Sequence, residues 1–144
     1  MNAIKKIKAP RNRTLNVDAK ECNELKKHLS YVDRDLLIKD IVDRTFNADL
    51  FASIDHFPKN SIDLIIIDPP YNLDKNFNGL KFNKLNDNDY YNYLESWFPK
   101  VVKLLKSNGS LYICGDWKCS SPLYQIVSKY LIVRNRITWQ REKG

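Results

Sequence analysis

Three cysteines, two histidines and no purely aliphatic run longer than Leu64 to Ile67 mark what this 144-residue sequence is short of. Cys22, Cys114 and Cys119 are odd in number and contain no Cys-x-x-Cys pair, and His28 and His56 lie far from them in sequence. Neither a disulfide framework nor a zinc site, or any other metal site, is supported. A four-residue aliphatic run is too short to cross a bilayer, and the start "MNAIKKIKAPRNRTL" has basic residues with no apolar stretch behind them. A soluble, cytoplasmic protein is expected. There is no internal repeat and no low-complexity tract.

Hydrophobic residues make up 43% of the chain, enough for the core of one domain. Lys and Arg number 24 against 17 Asp and Glu, a formal net charge of +7, which favours a polyanionic partner without requiring one. Residues 1–35 are expected to form a basic arm and a short helix started by Asp18, with Cys22, Leu25 and Leu29 on one stripe. "IVDRTFNADL" then alternates like a strand ending near Asn47, and "LFASIDHF" resembles a short helix. "IDLIII" is the clearest strand, and its continuous apolar character predicts cover on both faces. "NDNDYYNYLESWFPKVVKLLK" should be a helix from Asp87 or Asn88, with Tyr90, Leu94, Trp97, Val101 and Leu105 on one stripe. Pro99 should kink it and Asn108-Gly109 close it. "SLYICGDW" reads as a second buried strand, "SPLYQIVSKYL" as a helix, and "IVRNRITWQ" as a strand with Ile137 and Trp139 inward. This βαβαβ pattern predicts an open parallel α/β sheet.

In such sheets ligands bind beyond the carboxyl ends of the strands, where Asn47 to Asp49, Asp68 to Asn72 and Cys114 to Trp117 would converge. In "DPPY", Asp68 and the carbonyl of Pro69 offer two adjacent acceptors, and the rings of Pro69 and Pro70 hold φ before a ligand arrives. Two acceptors suit an NH2 group, and Tyr71 offers a flat face for stacking. Together they describe an extruded adenine or cytosine whose amino nitrogen is drawn toward tetrahedral geometry, freeing its lone pair for an electrophilic methyl group. The plainer alternative is that Asp68 caps the next segment and Tyr71 packs on the sheet. Trp97 belongs to a core stripe; Trp117 fits a pocket or the core, and Trp139 the core. Lys75, Lys81, Lys84, Arg134, Arg136, Arg141 and Lys143 suit contacts to DNA phosphates or a solvated surface.

From "FNADLFASIDHFP" through "DLIIIDPPYNLDKNFNG" and "LKSNGSLYICGDW" to "RNRITWQREKG", the sequence resembles the S-adenosylmethionine-dependent DNA amino-methyltransferases, in the subgroup whose catalytic half comes first. The resemblance implies a partial Rossmann-like methyltransferase fold, with residues 36–144 as the catalytic half. It makes Asp68, Pro69, Pro70 and Tyr71 the target-base site, with Asp68 also beside the cofactor. Asp49 would contact the cofactor's adenine moiety, or be only a helix cap. An aspartate in the first motif position favours N6 of adenine in duplex DNA; N4 of cytosine is the alternative. The family's Phe-x-Gly-x-Gly loop is missing, and Gly79, Gly109, Gly115 and Gly144 are scattered. An amino-terminal piece is therefore expected, inactive alone, lacking central strands of the sheet and completed by a missing half or a second polypeptide. A non-catalytic remnant or DNA-binding subunit is the remaining alternative.

Overall fold

The computed structural model describes residues 16–77 and 80–139, so the expected basic arm, Arg141 and Lys143 lie outside the described residues. Asp18 accepts the amide of Glu21 at 2.8 Å and starts α1 (Ala19–Lys26). After it, β1 (Leu29–Ser30) pairs in parallel with β2 (Thr45–Phe46). The strand expected over "IVDRTFNADL" is shorter than its alternation suggests. Ile41 ends a helical turn, α2 (Ile38–Ile41), and Asp43 takes φ 54, a left-handed conformation that breaks an extended chain. Asp49 then caps α3 (Leu50–Ser53), which tightens into a 3₁₀ turn, Ile54–His56.

The centre of the fold is β3 (Ile62–Ile67) lying parallel to β6 (Leu105–Ile113). Between them run an antiparallel hairpin, β4 (Lys75–Phe77) with β5 (Leu80–Phe82), and the long helix α4 (Asp87–Val102). Asn86 caps α4 by accepting the amide of Asp89 at 2.9 Å, and the helix continues through Pro99. Tyr90, Leu94, Trp97 and Val101 are buried along its stripe as expected. They join Phe98 and, from α5 (Ser120–Tyr130), Leu123 and Ile126 in a core that Ile65, Ile67, Leu111 and Ile113 line from the sheet side. Edge-on ring packing of Trp97 and Phe98, centroids 5.9 Å apart, fills its middle.

Three expectations are corrected. Cover reaches one face of β3 only: Ile65 and Ile67 are half-buried, whereas Leu64 and Ile66 are 51% and 69% exposed. An aliphatic strand buries both faces only where something packs on both, and α4 and α5 lie on one side. Gly109 does not end the helix, which stops at Val102. It sits inside β6, where the register slips between the Ile62–Leu105 and Leu64–Ser110 pairs, and a Cβ there would come within 3.1 Å of the Asp63 carbonyl. Residues 131–139 form no strand, and Ile137 and Trp139 are 75% and 90% exposed, because no strand among the described residues pairs with them.

The architecture is nonetheless α/β, with short parallel sheets flanked by helices, consistent with a partial methyltransferase fold. Among the described residues β3 has β6 as its one hydrogen-bonded neighbour, and β1–β2 is a separate pair. No described helix is long and apolar enough to cross a membrane.

Candidate active site

Parallel pairing places the ends of β3 and β6 side by side, since the Cys114 amide donates to the Ile67 carbonyl at 2.8 Å. Asp68 and Gly115 therefore leave the sheet next to one another, and the two loops share a rim. On the first loop Asp68 is exposed, Pro69 buried, and Pro70 and Tyr71 half-buried. The Asp68 carboxylate, three residues back on the same turn, raises the Tyr71 phenol above its ordinary pKa; burial and the nearby Cys114 and Asp116 push the same way. The acceptor and the aromatic residue therefore act on one another at the rim.

Beneath them the turn is tied to the core. Tyr90, 2% exposed, donates its hydroxyl to the Pro70 carbonyl at 3.1 Å. The Asn72 amide donates to the Cys119 sulfur at 3.3 Å, and the Asn72 side chain clasps the Leu85 main chain, giving and taking one hydrogen bond at 2.7 Å each. Among the described residues no donor engages the Pro69 carbonyl. Asp68, exposed, and the Pro69 carbonyl, on a buried residue, therefore keep their acceptor capacity among the described residues. Tyr90 and Cys119 escape a reading of the sequence that assigns apolar stripes to the core. A buried phenol must still place its hydroxyl, and that requirement was the available signal.

On the second loop Asp116 caps the 3₁₀ turn Trp117–Cys119 by accepting the Cys119 amide at 2.9 Å. Burial alone would raise its carboxyl, but hydrogen bonds from Cys119 and Lys118 hold it below the ordinary range. Trp117 is 74% exposed, with the Lys118 ammonium 5.7 Å from its ring, so it belongs to the rim and not to the core. Lys81, Lys84, Arg134 and Arg136 are exposed; the Lys75 side chain lies outside what the structure describes.

Hydrogen bonding joins two of the three expected strand ends, those of β3 and β6. Asp49 follows β2 in the separate β1–β2 pair, its carboxylate accepts the Ala52 amide at 3.0 Å, and no hydrogen bond or ion pair among the described residues links it to the Asp68 turn. As acceptors, Asp49 and Asp68 suit hydroxyls or amines of S-adenosylmethionine, but the described residues contain no glycine loop of free amides for its methionine end. They do not make a complete cofactor cradle. No group of three His, Cys, Asp or Glu among the described residues is placed to hold a metal ion.

A family model described as DNA methylase matches residues 62–144. The type II methyltransferase M.HpaI of Haemophilus parainfluenzae is 34% identical over 103 residues, 70% of this chain and 32% of that protein. M.BamHI of Bacillus amyloliquefaciens, also a type II methyltransferase, is 27% identical over the whole chain and 33% of its own length. The DNA adenine methyltransferase YhdJ of Escherichia coli is 30% identical over 98 residues, covering 68% of this chain and 33% of that protein. The chain spans about a third of the length of these relatives.

Proposed function

The chain belongs to the DNA methylase family, and we propose that it is the target-base portion of a DNA amino-methyltransferase that modifies N6 of an adenine extruded from duplex DNA. The observation that carries this reading is the exposed Asp68 carboxylate on a turn it shares with Tyr71, whose Pro70 carbonyl and Asn72 amide are tied to the core while no described donor engages the Pro69 carbonyl. Asp68 and Pro69 accept the two amino protons of the base while the Tyr71 ring stacks on its face. Drawn toward tetrahedral geometry, the amino nitrogen regains a lone pair otherwise delocalised into the ring. Transfer of the methyl carbon from sulfur to the amino nitrogen would leave a neutral thioether and release one amino proton to solvent at the exposed rim, with Asp68 contributing position and charge.

S-adenosylmethionine is the methyl donor in this proposal and supplies an electrophilic methyl carbon. Its methionine end is held by a further segment or a second polypeptide, a reading supported by the bare face of Leu64, Ile66 and Tyr112, which are 51%, 69% and 51% exposed. Adenine is favoured by the aspartate that opens the motif and by the likeness to a DNA adenine methyltransferase. The net charge of +7 and the exposed Lys81, Lys84, Arg134 and Arg136 suit the phosphates of duplex DNA, as expected of a cytoplasmic protein acting on a genome.

The test is mass analysis of nucleosides from duplex DNA treated with S-adenosylmethionine and this chain, alone and with fragments carrying the relatives' remaining length. N6-methyladenine formed only with the complement is the expected result. N4-methylcytosine would reassign the base, and no methylation in either arm would favour the remnant.

A further inference from the structure

Two buried groups that the chemistry above does not use reach the turn from different elements. Tyr90 lies on α4, twenty residues beyond Pro70, and Cys119 precedes α5, forty-seven residues beyond Asn72. The two residues are 2% and 1% exposed, and Cys119 is among the groups that, after burial, raise the Tyr90 phenol above its ordinary pKa. They grip the carbonyl just before Tyr71 and the amide just after it.

This placement complements what proline does. The two rings of Pro69 and Pro70 set φ but leave ψ free, so a double proline by itself does not aim the residue that follows. A hydrogen bond to the Pro70 carbonyl sets ψ at Pro70. Another from the Asn72 amide orients the peptide plane between Tyr71 and Asn72. With both planes held, the Tyr71 side chain leaves the turn in one direction. We propose that Tyr90 and Cys119 are positioning residues of the target-base turn, which together hold Tyr71 and Asp68 in the geometry that receives the base. The inference rests on the reading of Asp68 to Tyr71 as that site.

A merely structural role would cost stability and nothing else, so the readout must be local. In the chain carrying ring-labelled tyrosine, carbon NMR follows the titration of Tyr71, whose charged neighbours are Asp68, Cys114 and Asp116. Tyr90→Phe and Cys119→Ala are each expected to return that titration toward the ordinary phenol value of about 10, and Cys119→Ser, which keeps an acceptor for the Asn72 amide, to restore the parent's. In the preparation that methylates DNA, Tyr90→Phe should lower kcat on the order of tenfold with KM for DNA within about twofold. An unchanged Tyr71 titration in both Tyr90→Phe and Cys119→Ala overturns the inference, whatever either does to the melting temperature. Should Tyr90→Phe fail to fold, the Cys119→Ala and Cys119→Ser pair makes the same decision. Asp68→Ala separates the two readings: if it leaves methyl transfer intact the target-base reading fails, and if it abolishes transfer while Tyr90→Phe keeps the parent's kcat, only the present inference fails.

Discussion

The carboxylate of Asp68 raises the pKa of the Tyr71 phenol, three residues after it on the same turn. Tyr71 therefore offers both a ring face and a hydroxyl that feels Asp68. Tyr71→Phe keeps the ring and removes the hydroxyl, and is expected to slow single-turnover methyl transfer by about 1 kcal/mol, several-fold in rate. Tyr71→Ala should lose a further ~1 to 3 kcal/mol as the stacking face disappears. A fluorescent base analogue at the target position reports extrusion alongside. Equal damage from Phe and Ala would leave stacking with no part.

Asp68→Ala is expected to abolish methylation while leaving non-specific DNA affinity nearly intact. Phosphate contacts carry most of such affinity, whereas in the proposed function Asp68 acts on the extruded base and not on the phosphates. Turnover within a few-fold of the parent, measured with filter binding on the same samples, would remove Asp68 from the chemistry.

Adjacent isoleucines on β3 should answer differently to substitution. Ile65 lines the core, whereas Ile66 is 69% exposed. In urea denaturation of the chain alone, Ile65→Ala is expected to cost about 2 to 4 kcal/mol and Ile66→Thr under about 0.5. Equal losses would mean that the outward face of the strand is covered in solution.

Acid should weaken the link between α4 and α5. The Lys129 ammonium, at 2.6 Å, holds the Glu95 carboxyl below the usual carboxylate range, helped by the Tyr130 and Tyr91 hydroxyls. A depressed folded-state value stabilises the fold above the ordinary carboxylate pKa, and that contribution is lost as pH falls through the folded value. Melting curves of the parent and Glu95→Gln are expected to converge as pH falls from about 5 to about 3. A gap that stays constant would assign the difference to packing.

Much of this was legible because it is local. Asp18 caps α1 with its own neighbour, α4 begins at Asp87, one of the two starts expected, and the stripe from Tyr90 to Val101 repeats at helical spacing. The Asp68 turn announces itself through its prolines. What stayed hidden depends on distant partners. Four aliphatics in a row do not say which face of β3 finds a helix, and the alternation of Ile137 and Trp139 does not supply a strand to pair with. Nor does a tyrosine on an apolar stripe reveal that its hydroxyl meets a carbonyl twenty residues away.

The clasp between Asn72 and Leu85 has an evolutionary consequence. The hairpin that follows the turn leaves and re-enters the fold across the same two hydrogen bonds, and a third, from the Lys84 amide to Asp74, closes it just above. Closure entropy grows only slowly with loop length, so residues between the clasp can be exchanged or multiplied with little strain on Asp68 and Tyr71. The hairpin is thus insulated from the turn. Under the proposed function, its contacts are free to diverge while the target-base turn stays where it is.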